Sequence, residues 1–116
     1  MKQINRVAIL LAAYNGGQWI NEQIESIFHQ INIDLHVFIS VDVSSDSTYK
    51  YCKQLEEANK NVTVLEYGER FGGAAKNFYR LIKDVDLSGF DYISFADQDD
   101  IWSLDKLSHG INHMEM

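Results

Sequence analysis

Val7-Ala8-Ile9-Leu10-Leu11-Ala12 is apolar at every position. A run like this suits a strand buried on both faces, as at the centre of a parallel sheet. Asn15-Gly16-Gly17 breaks it, and Ile20, Ile24, Ile27, Phe28 and Ile31 then recur at helical spacing. Leu35 to Val41 reads as a second strand. Asp46 is a candidate N-cap for a helix reaching about Glu57, with Tyr51, Leu55 and Ala58 on one face. Asn61 to Tyr67 reads as a third strand, and Gly72-Gly73 as a loop. Phe78, Leu81, Ile82 and Val85 mark the next helix. Tyr92 to Ala96 is a fourth strand, and Leu104, Leu107, Ile111 and Met114 suggest a last helix. Strand and helix thus alternate, which predicts an α/β fold: right-handed crossovers and a mostly parallel sheet with helices on both faces.

Such a sheet gathers the loops after its strands along one edge, where open α/β sheets bind ligands. Those loops are Tyr14 to Gly17, Asp42 to Ser47, Gly68 to Gly73 and Asp97 to Trp102, and they hold most of the unusual residues. In the last of them Asp97, Asp99 and Asp100 place three carboxylates within four residues. Like charges this close repel and raise one another's pKa. A hard divalent ion such as magnesium would turn the repulsion into coordination. In an extended segment Asp97 and Asp99 point the same way. Capping of the following helix is the alternative use, and one acid would suffice for it.

Asp42 ends the second strand, where a carboxylate can accept from a base N–H or a ribose hydroxyl; an Asx-type turn is the alternative. Arg70 and Lys76 flank the paired glycines, and a cation there suits a phosphate, solvated surface charge being the alternative for either alone. His109 and His113 have the spacing of a helical zinc pair but lack the glutamate of the zinc-protease motif, so they read as solvent-exposed. His29 and His36 read as ordinary surface or core residues, and Cys52 as a small buried helix residue.

The chain has 116 residues, enough for one domain with a real core, and a formal net charge of -7. That charge argues against nucleic acid as a partner, since a nucleic-acid binder needs a basic face. It leaves room for a nucleotide held through a metal. One cysteine allows no internal disulfide and fits a reducing compartment, so a cytoplasmic location is expected. Nothing is long enough to span a bilayer.

Four blocks in order resemble glycosyltransferase family 2, the inverting nucleotide-sugar transferases of GT-A fold, and especially its rhamnosyltransferase-like members. Val7 to Gly16 resembles the opening strand, followed by a helix containing Glu22-Gln23-Ile24-Glu25-Ser26-Ile27. Val41-Asp42-Val43-Ser44-Ser45-Asp46-Ser47-Thr48 resembles the family's Asp-Asp-Gly-Ser-Thr-Asp-Gly-Thr segment. Lys76-Asn77-Phe78 matches a further block. Ile93 to Trp102, with Asp105-Lys106-Leu107, matches the Asp-x-Asp (DXD) block.

The resemblance implies a Rossmann-like GT-A sandwich and a set of roles. Ala13 and Tyr14 would lie along the nucleoside, Asp42 would contact the base, and Lys76 belongs to the nucleotide-binding set. Asp97 would lie near the ribose or the metal, and Asp99 would ligate manganese or magnesium bridging the diphosphate. The donor would be a UDP- or dTDP-linked sugar. The acceptor would be a hydroxyl of a glycan or lipid-linked acceptor in surface polysaccharide synthesis, with peripheral association at the inner face of the cell membrane left open.

Val41 and Val43 depart from the family's Asp and Gly, and a β-branched residue disfavours a positive-φ turn, so the base-binding loop is expected to differ in shape. Residues 1–116 are expected to be the nucleotide-sugar-binding half of a GT-A domain, cut at the C-terminus, inactive alone and with the general base outside this chain. The rival of another class is a non-catalytic nucleotide- and metal-binding module. A dinucleotide oxidoreductase is disfavoured, because Tyr14-Asn15-Gly16-Gly17 does not supply its glycine fingerprint.

Overall fold

The computed structural model describes residues 5–13, 20–29, 33–42, 48–68 and 70–97. Within them run β1 (Asn5–Ala13), α1 (Ile20–Phe28), β2 (Ile33–Val41), α2 (Thr48–Ala58), β3 (Val62–Val64), α3 (Ala74–Asp84) and β4 (Tyr92–Asp97). The strands form one sheet in the order β3-β2-β1-β4, with every neighbouring pair parallel. This is the expected α/β architecture, with helices on both faces.

The apolar run sits where its composition requires. β1 is flanked by β2 and β4, and every residue from Val7 to Ala13 is buried. Its two rows of side chains meet different helices. Val7, Ile9, Leu11 and Ala13 join Leu35, Val37, Ile39 and Val41 of β2 against Ile24 and Ile27 of α1 and Cys52 of α2. The opposite face receives α3, whose Leu81 is fully buried and whose Phe78 meets Phe95 of β4 edge to face at 5.4 Å. Chain direction explains the division. From β1 to β3 the chain steps one way across the sheet, then returns over the other face to reach β4, and right-handed crossovers place the helices accordingly. Each buried Leu or Ile side chain contributes about 1.5–3 kcal/mol.

Two expectations are corrected. The third strand is shorter than Asn61–Tyr67. Only Val62–Val64 pairs in register with Val37–Ile39, and Leu65 adds one further bond, to the carbonyl of Ile39 at 2.9 Å. Among the described residues it has one neighbour to hold it. The buried positions of α2 are Thr48 and Cys52, with Leu55 packed against the core cluster, while Tyr51 and Ala58 are exposed. Tyr49 instead stacks on Tyr67 at 4.1 Å.

At the opposite edge, Arg6 ties the start of β1 to the turn before β4. Its amide donates to the Asp91 carboxylate at 2.8 Å and its guanidinium to the Gly89 carbonyl at 2.7 Å, and it lies 5.0 Å from the centre of the Phe90 ring. No helix among the described residues is long and apolar enough to cross a membrane. Asp46 and the expected last helix, with His109 and His113, lie outside the described residues.

Candidate functional site

The parallel sheet brings the carboxyl ends of three strands together. Ala13 of β1 is in register with Val41 of β2, and Ala12 with both Ser40 of β2 and Asp97 of β4. Asp97 and Asp42 therefore flank the end of β1 from either side. Two strand spacings separate the outer backbones, about 10 Å. Of the expected site residues, Ala13, Asp42 and Asp97 share this edge. Tyr14 and Asp99 lie outside the described residues, as do Val43 to Ser47 of the base-binding loop.

Asp42 is only 4% exposed, and the amides of Phe71 and Gly72 account for both carboxylate oxygens. Phe71 donates to Oδ1 at 2.8 Å and Gly72 to Oδ2 at 3.1 Å. The Asp42 amide in turn donates to the Ala13 carbonyl at 2.9 Å. A carboxylate taking backbone amides forms charge-assisted bonds, stronger than neutral ones. The residue expected to face a base thus also fastens the loop that follows β3. Gly72 has φ of 80°, a left-handed conformation that glycine adopts without steric cost. A Cβ there would meet nothing within 4 Å, so backbone conformation rather than space calls for the glycine.

That loop leads into α3, whose first turn carries Lys76, exposed as Arg70 is. Both cations flank the glycines, available to an anion arriving at this edge. The next residue, Asn77, is buried. Its Nδ2 donates to the Ser40 carbonyl at 2.9 Å and lies 3.5 Å from the Ala13 carbonyl. Its Oδ1 has no partner among the described residues.

One turn further, Arg80 spreads its guanidinium over three acceptors. Nη1 donates to Ser40 Oγ at 2.9 Å, Nη2 to the Glu66 carbonyl at 2.8 Å and Nε to the Asp84 carboxylate at 2.8 Å. The group also lies 5.4 Å from the centre of the Phe71 ring. Nothing local in the sequence marks this role, because the two inner acceptors lie 40 and 14 residues away.

His36 lies on the same sheet face but lower, bonded through Nε2 to Thr63 Oγ1 at 2.7 Å and packed against Phe38. Burial, helped by the charge of Arg6, holds its pKa below the ordinary histidine value against the opposing pull of Asp34. Among the described residues no three His, Cys, Asp or Glu gather as a metal cage.

This arrangement, acids at the carboxyl edge with a glycine-and-cation loop beside them, coincides with a family match over residues 8–116, to Glycosyl transferase family 2. The chain belongs to glycosyltransferase family 2. It is 48% identical over 103 residues to the dTDP-rhamnosyl transferase RfbG of Shigella flexneri, an alignment covering 88% of this chain and 36% of that protein. The family 2 chain thus spans about a third of that relative's length.

Solved structures share the fold. The crystal structure of S. aureus TarS 1-349 in complex with UDP-GlcNAc superposes with a TM-score of 0.79 at 20% identity, covering 95% of this chain and 31% of that one. The mannosyltransferase PcManGT from Pyrobaculum calidifontis, in complex with GDP-Man and Mn2+, gives 0.74 at 23% identity, covering 92% and 31%. At these identities the likeness shows the GT-A-type α/β fold alone.

Proposed function

We propose that residues 1–116 are the donor-binding half of an inverting glycosyltransferase. Its reaction would move a sugar from a nucleoside diphosphate to an acceptor hydroxyl in surface polysaccharide synthesis. The observation that carries this reading is the meeting of Ala13, Asp42 and Asp97 at one sheet edge in a chain 48% identical to a dTDP-rhamnosyl transferase. That relative's name supports dTDP-rhamnose as the donor.

In this reading the nucleoside lies across the ends of β1 and β2, along Ala13 and Tyr14. Asp42 lies beside the base and shapes the loop next to it. Lys76 faces the diphosphate, where an exposed cation offsets negative charge. Asp97 and Asp99 would hold manganese or magnesium, hard cations that suit carboxylate oxygens. Asp97 ends β4 at this edge, across β1 from Asp42, and the Mn2+ in the mannosyltransferase neighbour's complex supports an ion held there. The ion, when bound, would offset charge on the departing nucleoside diphosphate. The general base and the acceptor site are assigned to sequence beyond this chain.

Calorimetric titration of the folded chain with dTDP and with UDP, each with and without Mn2+, tests the reading. Metal-dependent binding, tighter for dTDP, is expected. No heat with either nucleotide would overturn it, and binding without turnover by the full-length protein would favour the non-catalytic module instead.

A further inference from the structure

We propose that Arg80 and Asn77 are positioning residues of the donor edge: from one face of α3 they fix the ends of β1 and β2 and the loop that Asp42 holds. The inference rests on the donor reading above, but its structural half is tested without any nucleotide.

Asn77 and Arg80 are three apart and so share a helix face. Both reach Ser40, the residue two before Asp42. Asn77 takes its carbonyl at 2.9 Å and Arg80 its hydroxyl at 2.9 Å, and Ser40 is fully buried. The end of β2, just before Asp42, is thus gripped from α3 at two atoms of one residue. Asn77 also approaches the Ala13 carbonyl, which the Asp42 amide already engages, so β1 is held in the same knot.

Arg80 meanwhile holds the far end of the loop. Its Nη2 fixes the Glu66 carbonyl just after β3, and its guanidinium lies against the ring of Phe71, whose amide Asp42 accepts. Glu66 is therefore tied to Arg80, and Phe71 and Gly72 to Asp42, with the Phe71 ring lying against Arg80. A guanidinium suits this task because its donors form a rigid planar fork, which an ammonium cannot imitate.

Only 11% of the Arg80 side chain is exposed, so it is a structural tie rather than a ligand contact. Its ion pair with Asp84, 41% exposed, lies at the outer, solvent-facing end of the fork. Asp84→Ala therefore serves as a control that removes the outer contact and spares the two inner ones.

The experiment is amide hydrogen exchange, followed by nuclear magnetic resonance, on the unaltered chain, Arg80→Lys, Asn77→Ala and Asp84→Ala, with the central β1 amides of Ile9 and Leu10 as the reference for global opening. Arg80→Lys keeps the charge and the long stem, so it is expected to fold. The expected result is exchange about tenfold faster or more at Phe71 and Gly72 in Arg80→Lys and Asn77→Ala, as for loss of a bond to a charged or buried partner, with β1 unchanged and Asp84→Ala close to the unaltered chain. Unchanged exchange at Phe71 and Gly72 would overturn the clamp.

A dTDP titration of the same proteins completes the test. A weaker dissociation constant in Arg80→Lys, with β1 protection intact, supports the positioning role. Equal affinity despite a loosened loop would overturn it. Failure of the unaltered chain to bind dTDP would count against the donor reading, while the exchange data still decide the clamp.

Discussion

The carboxylate of Asp42 and the amide of Gly72 are joined across 30 residues of chain at 3.1 Å, beside a 2.8 Å bond from Phe71. One acidic side chain at the end of β2 thus sets the path of the loop after β3. Asp42→Asn keeps the shape but replaces one acceptor oxygen with an NH2 group, which would face a backbone amide. It is expected to lower stability by about 1.5–3 kcal/mol, the range for hydrogen bonds to charged groups. Urea denaturation of the two proteins measures this, and a loss under about 0.5 kcal/mol, the range of ordinary surface changes, would mean that the amides do not depend on the carboxylate.

Gly72 gives a second test of the same loop. Its φ of 80° is disfavoured for any residue with a Cβ, yet a Cβ there would touch nothing within 4 Å. Gly72→Ala is therefore expected to cost about 1–2 kcal/mol through backbone conformation alone. A shift of the thermal midpoint reports it, and an unchanged midpoint would show that the loop does not hold this conformation in solution.

His36 governs a pH dependence. Burial, with the charge of Arg6, depresses its folded-state pKa below 6.5. Below about pH 6.5 the unfolded chain takes up a proton that the folded chain refuses, so stability falls with falling pH in that window and is fully present above it. His36→Gln should flatten this part of the stability profile while leaving the carboxylate-dependent fall at lower pH. Denaturation midpoints between about pH 5 and 7.5 would reveal it, and parallel profiles would assign the dependence elsewhere.

How far the sequence foretold all this depended on whether the signal was local. β1 was legible because burial on both faces leaves an unbroken apolar run, which no exposed element produces. β3 was overextended because Asn61–Tyr67 has strand-like composition, whereas pairing is decided by the neighbour, and β2 supplies partners for only three residues in register. On α2 the expected face held at Leu55 but not at Tyr51 or Ala58, since the core accepts the smaller Thr48 and Cys52 there.

At the site, Asp42 could be singled out by its place after a strand, and Asp97 by the acidic cluster. Their neighbours could not be seen in the same way. Phe71 and Gly72 lie 29 and 30 residues from Asp42, and the partners of Arg80 are set by how α3 lies on the sheet. Arg80 looks in sequence like any surface cation on a helix. Only the crossing of α3 over the ends of β1 and β2 turns it inward.

We propose that the carboxyl edge of β1, β2 and β4 binds the nucleoside diphosphate of a sugar donor. Amide chemical shifts of the chain during a dTDP titration in the presence of Mg2+, chosen because it is diamagnetic, test it most directly. Saturable shifts are expected at Ala13, Asp42, Gly72 and Lys76, with Arg6 and Gly89 at the opposite edge unmoved. Shifts confined to other surfaces, or none at saturating nucleotide, would contradict it.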